Sequence, residues 1–263
     1  MPPRDGQWWR TSVAKLACRT DIGQLTSDSD KTVAVGRGTG TGKSAEGSAV
    51  GILAVWNDRD DAVADLYESW YVGQHLPERV NLPGWRFGRR YERLDNHGPR
   101  YFTWYELDSP DACESPEYRA RLQNPTPETQ RVMRNWRNMS RTVCERAFHN
   151  DARLVGGFVV AARFDNSVSG TTLHELVGVA GSPLGSQGWL SADGGLSGTD
   201  SAIRTAEQSL RGVDDERIEA ALLLEFLRED DARAGLAALR GGLAARGLDA
   251  RDAGVYSFLC EYR

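Results

Sequence analysis

Lysine is nearly absent from this sequence. Its three lysines, Lys15, Lys31 and Lys43, all precede residue 48, and beyond that point every fixed cation is an arginine. The same first 47 residues are rich in Ser, Thr, Gly and Asp without sustained periodicity, so 1–47 reads as a poorly ordered tail. Whether that tail is native to the domain behind it stays open. Cysteine is scarce too. Cys18, Cys113, Cys144 and Cys260 stand alone, with no CxxC or other close pair. That argues against a zinc site and a disulfide framework, and fits a reducing compartment. No apolar run approaches the roughly 18 residues of a membrane span, and the N-terminus lacks the apolar stretch of a secretory signal. No basic block occurs and the formal net charge is −5, which disfavours nucleic acid and anionic membranes as partners. The expected location is the cytoplasm, by elimination.

What is present suits folded domains. With 40% hydrophobic and 26% charged residues, 263 residues suffice for two small domains or one large one. Val50–Asn57 reads as a buried strand and Asp60–Gln74 as a helix. Trp85–Arg93 and Arg100–Leu107 read as strands around the turn-like stretch Asp95-Asn96-His97-Gly98-Pro99. Ser109–Leu122 and Glu128–Asn138 read as helices, separated by Pro125-Thr126-Pro127, and Ser140–Phe148 as a strand. The order β-α-β-β-α-β is the ferredoxin-like unit, here over 48–150.

Residues 151–263 read as a second, divergent ferredoxin-like α+β copy. It has strands at Leu154–Phe164, Ile218–Leu227 and Gly254–Tyr262, helices at Ser201–Arg211 and Asp231–Arg246, and an irregular Leu176–Leu190. Only element order supports the repeat, and a unique C-terminal α+β domain is the alternative.

The strands carry large side chains on both faces. Ile52, Ala54 and Trp56 oppose Leu53 and Val55. Tyr101, Thr103, Tyr105 and Leu107 oppose Phe102 and Trp104, while Trp85, Phe87 and Tyr91 point one way. Helices cover one face, so the other needs a second sheet, from the C-terminal half or from a second subunit. The fold class is therefore α+β, two tandem ferredoxin-like units forming a barrel. An enclosed chamber is expected inside that barrel as the ligand site.

Val63, Tyr67, Tyr71 and His75 recur four residues apart along the first helix, an inward aromatic stripe ending in histidine, with Pro77 stopping the helix just beyond. A histidine at a helix C-terminus feels a field that favours its charged form, while burial disfavours it. Its pKa is then expected near neutrality, where acid–base exchange is useful. Glu78 and Arg79 are candidates to pair with each other or to orient the ring. The plainer alternative for His75 is a structural cap, and for Tyr67 and Tyr71 a place in the core.

The run Trp70-Tyr71-Val72-Gly73-Gln74-His75-Leu76-Pro77-Glu78-Arg79, then Leu82-Pro83-Gly84-Trp85 and Arg89-Arg90-Tyr91, resembles the EthD-like branch of the dimeric α+β barrel superfamily. Arg100-Tyr101-Phe102, Tyr105-Glu106-Leu107, Ser115-Pro116-Glu117-Tyr118 and Asn124-Pro125-Thr126-Pro127 fit the same pattern. The resemblance covers about 50–148 and places the branch's H-x-P histidine on His75. It implies a small-molecule pocket of the kind found in cyclases, isomerases, dehydratases and cofactor-free monooxygenases, with haem enzymes as a further branch. Trp85, Phe87, Arg89, Tyr101 and Tyr105 are the expected substrate-binding residues. No cofactor or metal is assigned; a haem on His75 or His174, and a binding protein without catalysis, are the alternatives. A homodimer and an internal pairing of the two halves both satisfy the need for a second sheet. Gly36-Arg37-Gly38-Thr39-Gly40-Thr41-Gly42-Lys43-Ser44 imitates a phosphate-binding loop. However, Arg37 stands where the first glycine is required, and no helix pattern follows.

Overall fold

Eight antiparallel strands close into a barrel in the order β1-β3-β2-β8-β5-β7-β6-β4. This computed structural model describes residues 49–150, 154–187, 189–198 and 204–263. The tail expected over 1–47 and the glycine-rich Gly36–Ser44 lie outside the described residues. The strands are β1 (Gly51–Arg59), β2 (Trp85–Arg93), β3 (Tyr101–Leu107), β4 (Trp136–Asn150), β5 (Phe158–Phe164), β6 (Ser191–Ser197), β7 (Ala220–Phe226) and β8 (Arg251–Tyr262). The helices are α1 (Ala64–Trp70), α2 (Leu76–Val80), α3 (Pro116–Gln123), α4 (Pro127–Met133), α5 (Gly170–Gly181), α6 (Ala206–Arg211) and α7 (Glu229–Ala245).

The first four strands pair in the order 4-1-3-2, and the last four repeat it as 8-5-7-6. The long strands β4 and β8 join the two sets. β4 pairs with β1 through Glu145 and with β6 from Cys144 to Asn150. β8 pairs with both β2 and β5. The second sheet that the two-sided strands require thus comes from the same chain, and closure leaves no strand edge open.

Three separate cores follow from this. Ile52, Ala54, Trp56, Phe102, Trp104, Tyr91 and Tyr256 fill the barrel interior, where Trp56 stacks on Phe102 at 4.6 Å. The outer face of the first sheet packs under α1–α4, and that of the second under α5 and α7. The chamber expected inside the barrel is therefore filled by aromatic side chains, each contributing about 1.5–3 kcal/mol by burial.

Several expectations need correction. Trp85 does not share a face with Phe87 and Tyr91. The pairing with β3 shifts register between Trp85 and Phe87, and this bulge turns Trp85 out toward the helices while Phe87 and Tyr91 face the interior. The helix expected over Glu128–Asn138 ends at Met133, and β4 begins at Trp136 with Asn138 at φ 50°. The Leu176–Leu190 stretch begins inside α5, whose N-cap Ser169 accepts a bond from the Thr172 N–H. The rod that starts near Asp61 does not stop before Pro77 but runs to Val80.

Gly51 shows how closely the first sheet meets its covering loops. A Cβ there would lie 2.5 Å from the Ser109 carbonyl carbon and 2.6 Å from the Pro110 nitrogen, both backbone atoms. Gly51→Ala is expected to destabilise the fold by about 1–3 kcal/mol through overpacking, read as a lower urea midpoint at unchanged slope.

Candidate functional site

Between α1 and α2 the rod widens into a single π turn, Tyr71–His75, in which the Leu76 N–H donates to the Tyr71 carbonyl five residues back. Pro77 accounts for it. Proline has no N–H to offer the carbonyl four residues earlier, and its ring would crowd that carbonyl in an ordinary turn. Such π turns are frequent at functional sites.

The turn delivers His75 into an aromatic nest. Its ring lies 4.4 Å from Trp70, 5.0 Å from Tyr71 and 5.8 Å from Trp136, centroid to centroid. His75 is 7% exposed, and its Nδ1 has no hydrogen-bond partner among the described residues. The expectation of a near-neutral pKa is overturned. Burial, then the positive charges of Arg79, Arg90 and Arg211, hold it well below the usual 6.5. No helix end stands at His75 to offset them, because the rod continues to Val80. The side chain is a neutral imidazole at physiological pH.

His75 lines a cavity of about 210 Å³, with Tyr71, Arg79, Trp85, Tyr105 and Trp136 among its walls. Leu53, Val55, Met133 and Met139 supply apolar surface. The cavity lies outside the barrel, between the first sheet and its helices. Four residues that line it carry a buried polar atom with no hydrogen-bond partner among the described residues: His75 Nδ1, Arg79 Nη1, Trp85 Nε1 and Trp136 Nε1. Buried groups of this kind are ordinarily bonded, so four of them on residues around one cavity make it the candidate polar site.

Arg79 is held from the other half of the chain. Its Nη2 donates to Glu207 Oε1 at 2.6 Å, with both side chains almost fully buried. Burial pulls its pKa down, but the Glu207 carboxylate more than compensates, so the guanidinium stays charged. The expected Glu78–Arg79 pairing is absent; Glu78 instead accepts from Gln74. Glu207 and Arg211 lie on α6, between β6 and β7, and α6 packs over α3 and α4. Arg211 donates from Nε and Nη2 to the two carboxylate oxygens of Asp215, and Thr205 with Gln208 forms a capping box that starts the helix. Glu207, Arg211 and Asp215 all line the cavity.

The expected site residues divide. His75, Tyr71, Trp85 and Tyr105 meet at the cavity; Tyr67, Tyr101, Phe87 and Arg89 do not line it. Tyr67 is fully buried behind it and accepts from Asn57. The Tyr101 hydroxyl donates to Glu68 at 2.8 Å. Phe87 packs against the barrel interior, and Arg89 pairs with Glu225 and Glu261. Its neighbour Arg90, on the opposite face of β2, makes a two-armed bond with Glu68. It also lies 4.3 Å from the Tyr71 ring centroid, bracing the aromatic stripe from behind. His174 is exposed on α5, against Phe148.

Trp136, Met133 and the α6 charges were missed. Trp136 falls inside the helix expected over Glu128–Asn138, where its side chain has no reason to face a strand pocket. Glu207 and Arg211 lie four apart in the helix expected over Ser201–Arg211, a spacing common to ordinary helical pairs, and nothing local signals a partner at Arg79.

No protein-family model and no curated protein sequence matches the chain. Among solved structures, an anthrone oxidase-like protein superposes with a TM-score of 0.53 at 10% identity, covering 82% of this chain and 94% of that one. A proposed monooxygenase from Fusobacterium nucleatum subsp. nucleatum superposes at 0.50 with 9% identity, covering 82% and 95%. The chain has the α+β barrel fold. At these identities the likeness carries the fold alone.

Proposed function

We propose that the cavity binds a small, largely apolar or aromatic, oxygenated molecule and that His75 exchanges a proton with it. The observation that carries this is the His75 imidazole itself: a buried, neutral ring on a π turn, in a residue that lines the cavity, with Nδ1 unpartnered among the described residues. A neutral imidazole accepts a proton from carbon or oxygen of the ligand. The electron pair left behind moves to a conjugated oxygen, where hydrogen-bond donors stabilise the developing charge. The Trp85 and Trp136 N–H groups, without partners among the described residues, are such donors on residues that line the same cavity. The Arg79 and Arg211 charges that depress the basicity of His75 also favour an enolate-like product, so the imidazolium forms beside an anion.

This reading places the chain with the EthD-like branch, on the Trp70–Arg79 segment that builds the π turn. It assigns a lyase, isomerase or cofactor-free monooxygenase type of reaction. The names of the two structural neighbours are compatible with the last of these. It also divides the chain at 48–150 and 151–263, with the second unit lending α6 to the first. A haem fits poorly. The cavity is smaller than the roughly 300–1,000 Å³ of drug-sized pockets, and the His75 ring is already flanked by Trp70, Tyr71 and Trp136.

A panel of 1,3-dicarbonyl and hydroxyaromatic compounds, followed by NMR in deuterated buffer, tests the proton transfer. The protein is expected to speed deuterium entry at an acidic position. His75→Gln is expected to lose about 100-fold or more of that rate while binding the same compound. A folded His75→Gln protein that retains the full rate removes His75 from the chemistry.

A further inference from the structure

We infer that the ligand is an organic oxyanion no larger than about one substituted ring, and that Arg79 Nη1 is its counter-ion. The inference rests on the proposal that this cavity is the binding site, and it adds the charge and size of what enters.

The donor inventory gives the charge. Of the four partnerless groups on residues that line the cavity, Arg79 Nη1, Trp85 Nε1 and Trp136 Nε1 can only donate. All three residues are more than nine-tenths buried. A neutral apolar guest would leave these donors desolvated and unbonded, which costs more than an apolar contact returns. A carboxylate, phenolate or enolate presents several acceptor lone pairs on conjugated oxygens and meets the same donors with charge assistance. Arg79 is suited to this because one arm is already fixed. Glu207 holds Nη2, and the guanidinium carbon lies 5.5 Å from the Tyr118 ring centroid, while Nη1 has no protein partner among the described residues. The neutral His75, one helical turn before Arg79, adds no competing charge.

Volume gives the size. A cavity of about 150 Å³ accepts benzene; at about 210 Å³ this one accommodates a single ring with substituents. The apolar wall of Leu53, Val55, Met133 and Met139 suits the ring, with the oxyanion toward Arg79.

Calorimetric and thermal-shift titrations of the full-length chain test this with four probes: benzoate, 4-nitrophenolate, benzyl alcohol and 9-anthroate. Benzoate and 4-nitrophenolate are expected to bind and raise the melting temperature, with the nitrophenol absorption showing the bound ionised form. Relative strengths of the two distinguish a carboxylate from an enolate-like ligand. Benzyl alcohol and 9-anthroate are expected to bind at least about tenfold more weakly than benzoate, the loss of one charge-assisted bond. The double variant Arg79→Gln/Glu207→Gln, which leaves no lone buried charge, is expected to lose a similar factor for benzoate. Trp85→Phe, which removes one N–H, is expected to weaken it several-fold and serves if the double variant does not fold. Equal binding of benzyl alcohol and benzoate, undiminished anion binding in the variants, or no anion binding at all overturns the inference. Tight 9-anthroate binding overturns the size limit. The proton-transfer reading fails separately, when anions bind but His75→Gln leaves deuterium entry unchanged.

Discussion

Acidification below about pH 6.5 is expected to cost the folded protein about 1.4 kcal/mol of stability per pH unit through His75 alone, and His75→Phe is expected to remove that slope. The sign follows from proton uptake. His75 is held well below its ordinary 6.5 in the folded chain, first by burial and then by Arg79, Arg90 and Arg211. Once pH drops under 6.5 the unfolded chain takes up a proton that the folded chain refuses, so unfolding is favoured until the folded-state pKa is reached. Other groups do not imitate this. His149 is raised, chiefly by its bond to Asp193, so its contribution is complete below 6.5 and is lost at higher pH. Glu68, Asp95, Glu106 and Glu261 have depressed values, and their contributions fade only as pH falls below about 4.5, the ordinary carboxylate range. Buried Glu225 is raised and works in the opposite direction to His75. Urea titrations of wild type and His75→Phe at half-unit steps from pH 7 to 4.5 isolate the difference. Parallel curves mean that His75 takes up its proton in the folded state.

The second large effect concerns the pair that spans the two halves. Glu207→Ala is expected to destabilise the protein by about 3–5 kcal/mol, because it strands the Arg79 charge in a buried site. Most of that loss is not the value of the pair but the cost of an uncompensated guanidinium. Arg79→Leu/Glu207→Leu is therefore expected to recover most of the stability, and the double-mutant cycle should show strong coupling. Additive losses would mean that solvent reaches Arg79 once Glu207 is gone. The double variant should also lose anion affinity, which separates the binding role of the pair from its structural one.

Legibility in the sequence followed locality. Trp85–Arg93 and the 101–107 strand are readable because segments rich in aromatic residues end at turns containing Gly, Pro and Asn. Two-sided aromatic strands also foretold a second sheet. The π turn was not readable: Pro77 looked like a stop, since proline usually is one, and the correct outcome depended on the rod tolerating one wider turn. β6 was hidden because Ser191–Ser197 contains Gly194 and Gly195, which suggest a loop. In the fold they are needed for contact, as a Cβ on Gly194 would lie 2.3 Å from the Phe148 ring. For the site, the H-x-P histidine and its aromatic stripe were visible on one helix. The wall facing it was not. It combines Trp85 turned by a bulge, Trp136 at the root of a strand, and α6 charges more than a hundred positions away.

Covalent closure of the barrel frees the two sides from resembling each other. An assembly of identical subunits must repeat every change twice, whereas here either half can diverge alone. The far side has used that freedom to close up: Leu173, Leu176, Leu239 and Leu243 occupy the space under its helices, and Gly235 admits the Phe226 ring against α7. Saturation should accordingly occur at one guest molecule per polypeptide, whatever the number of copies that associate.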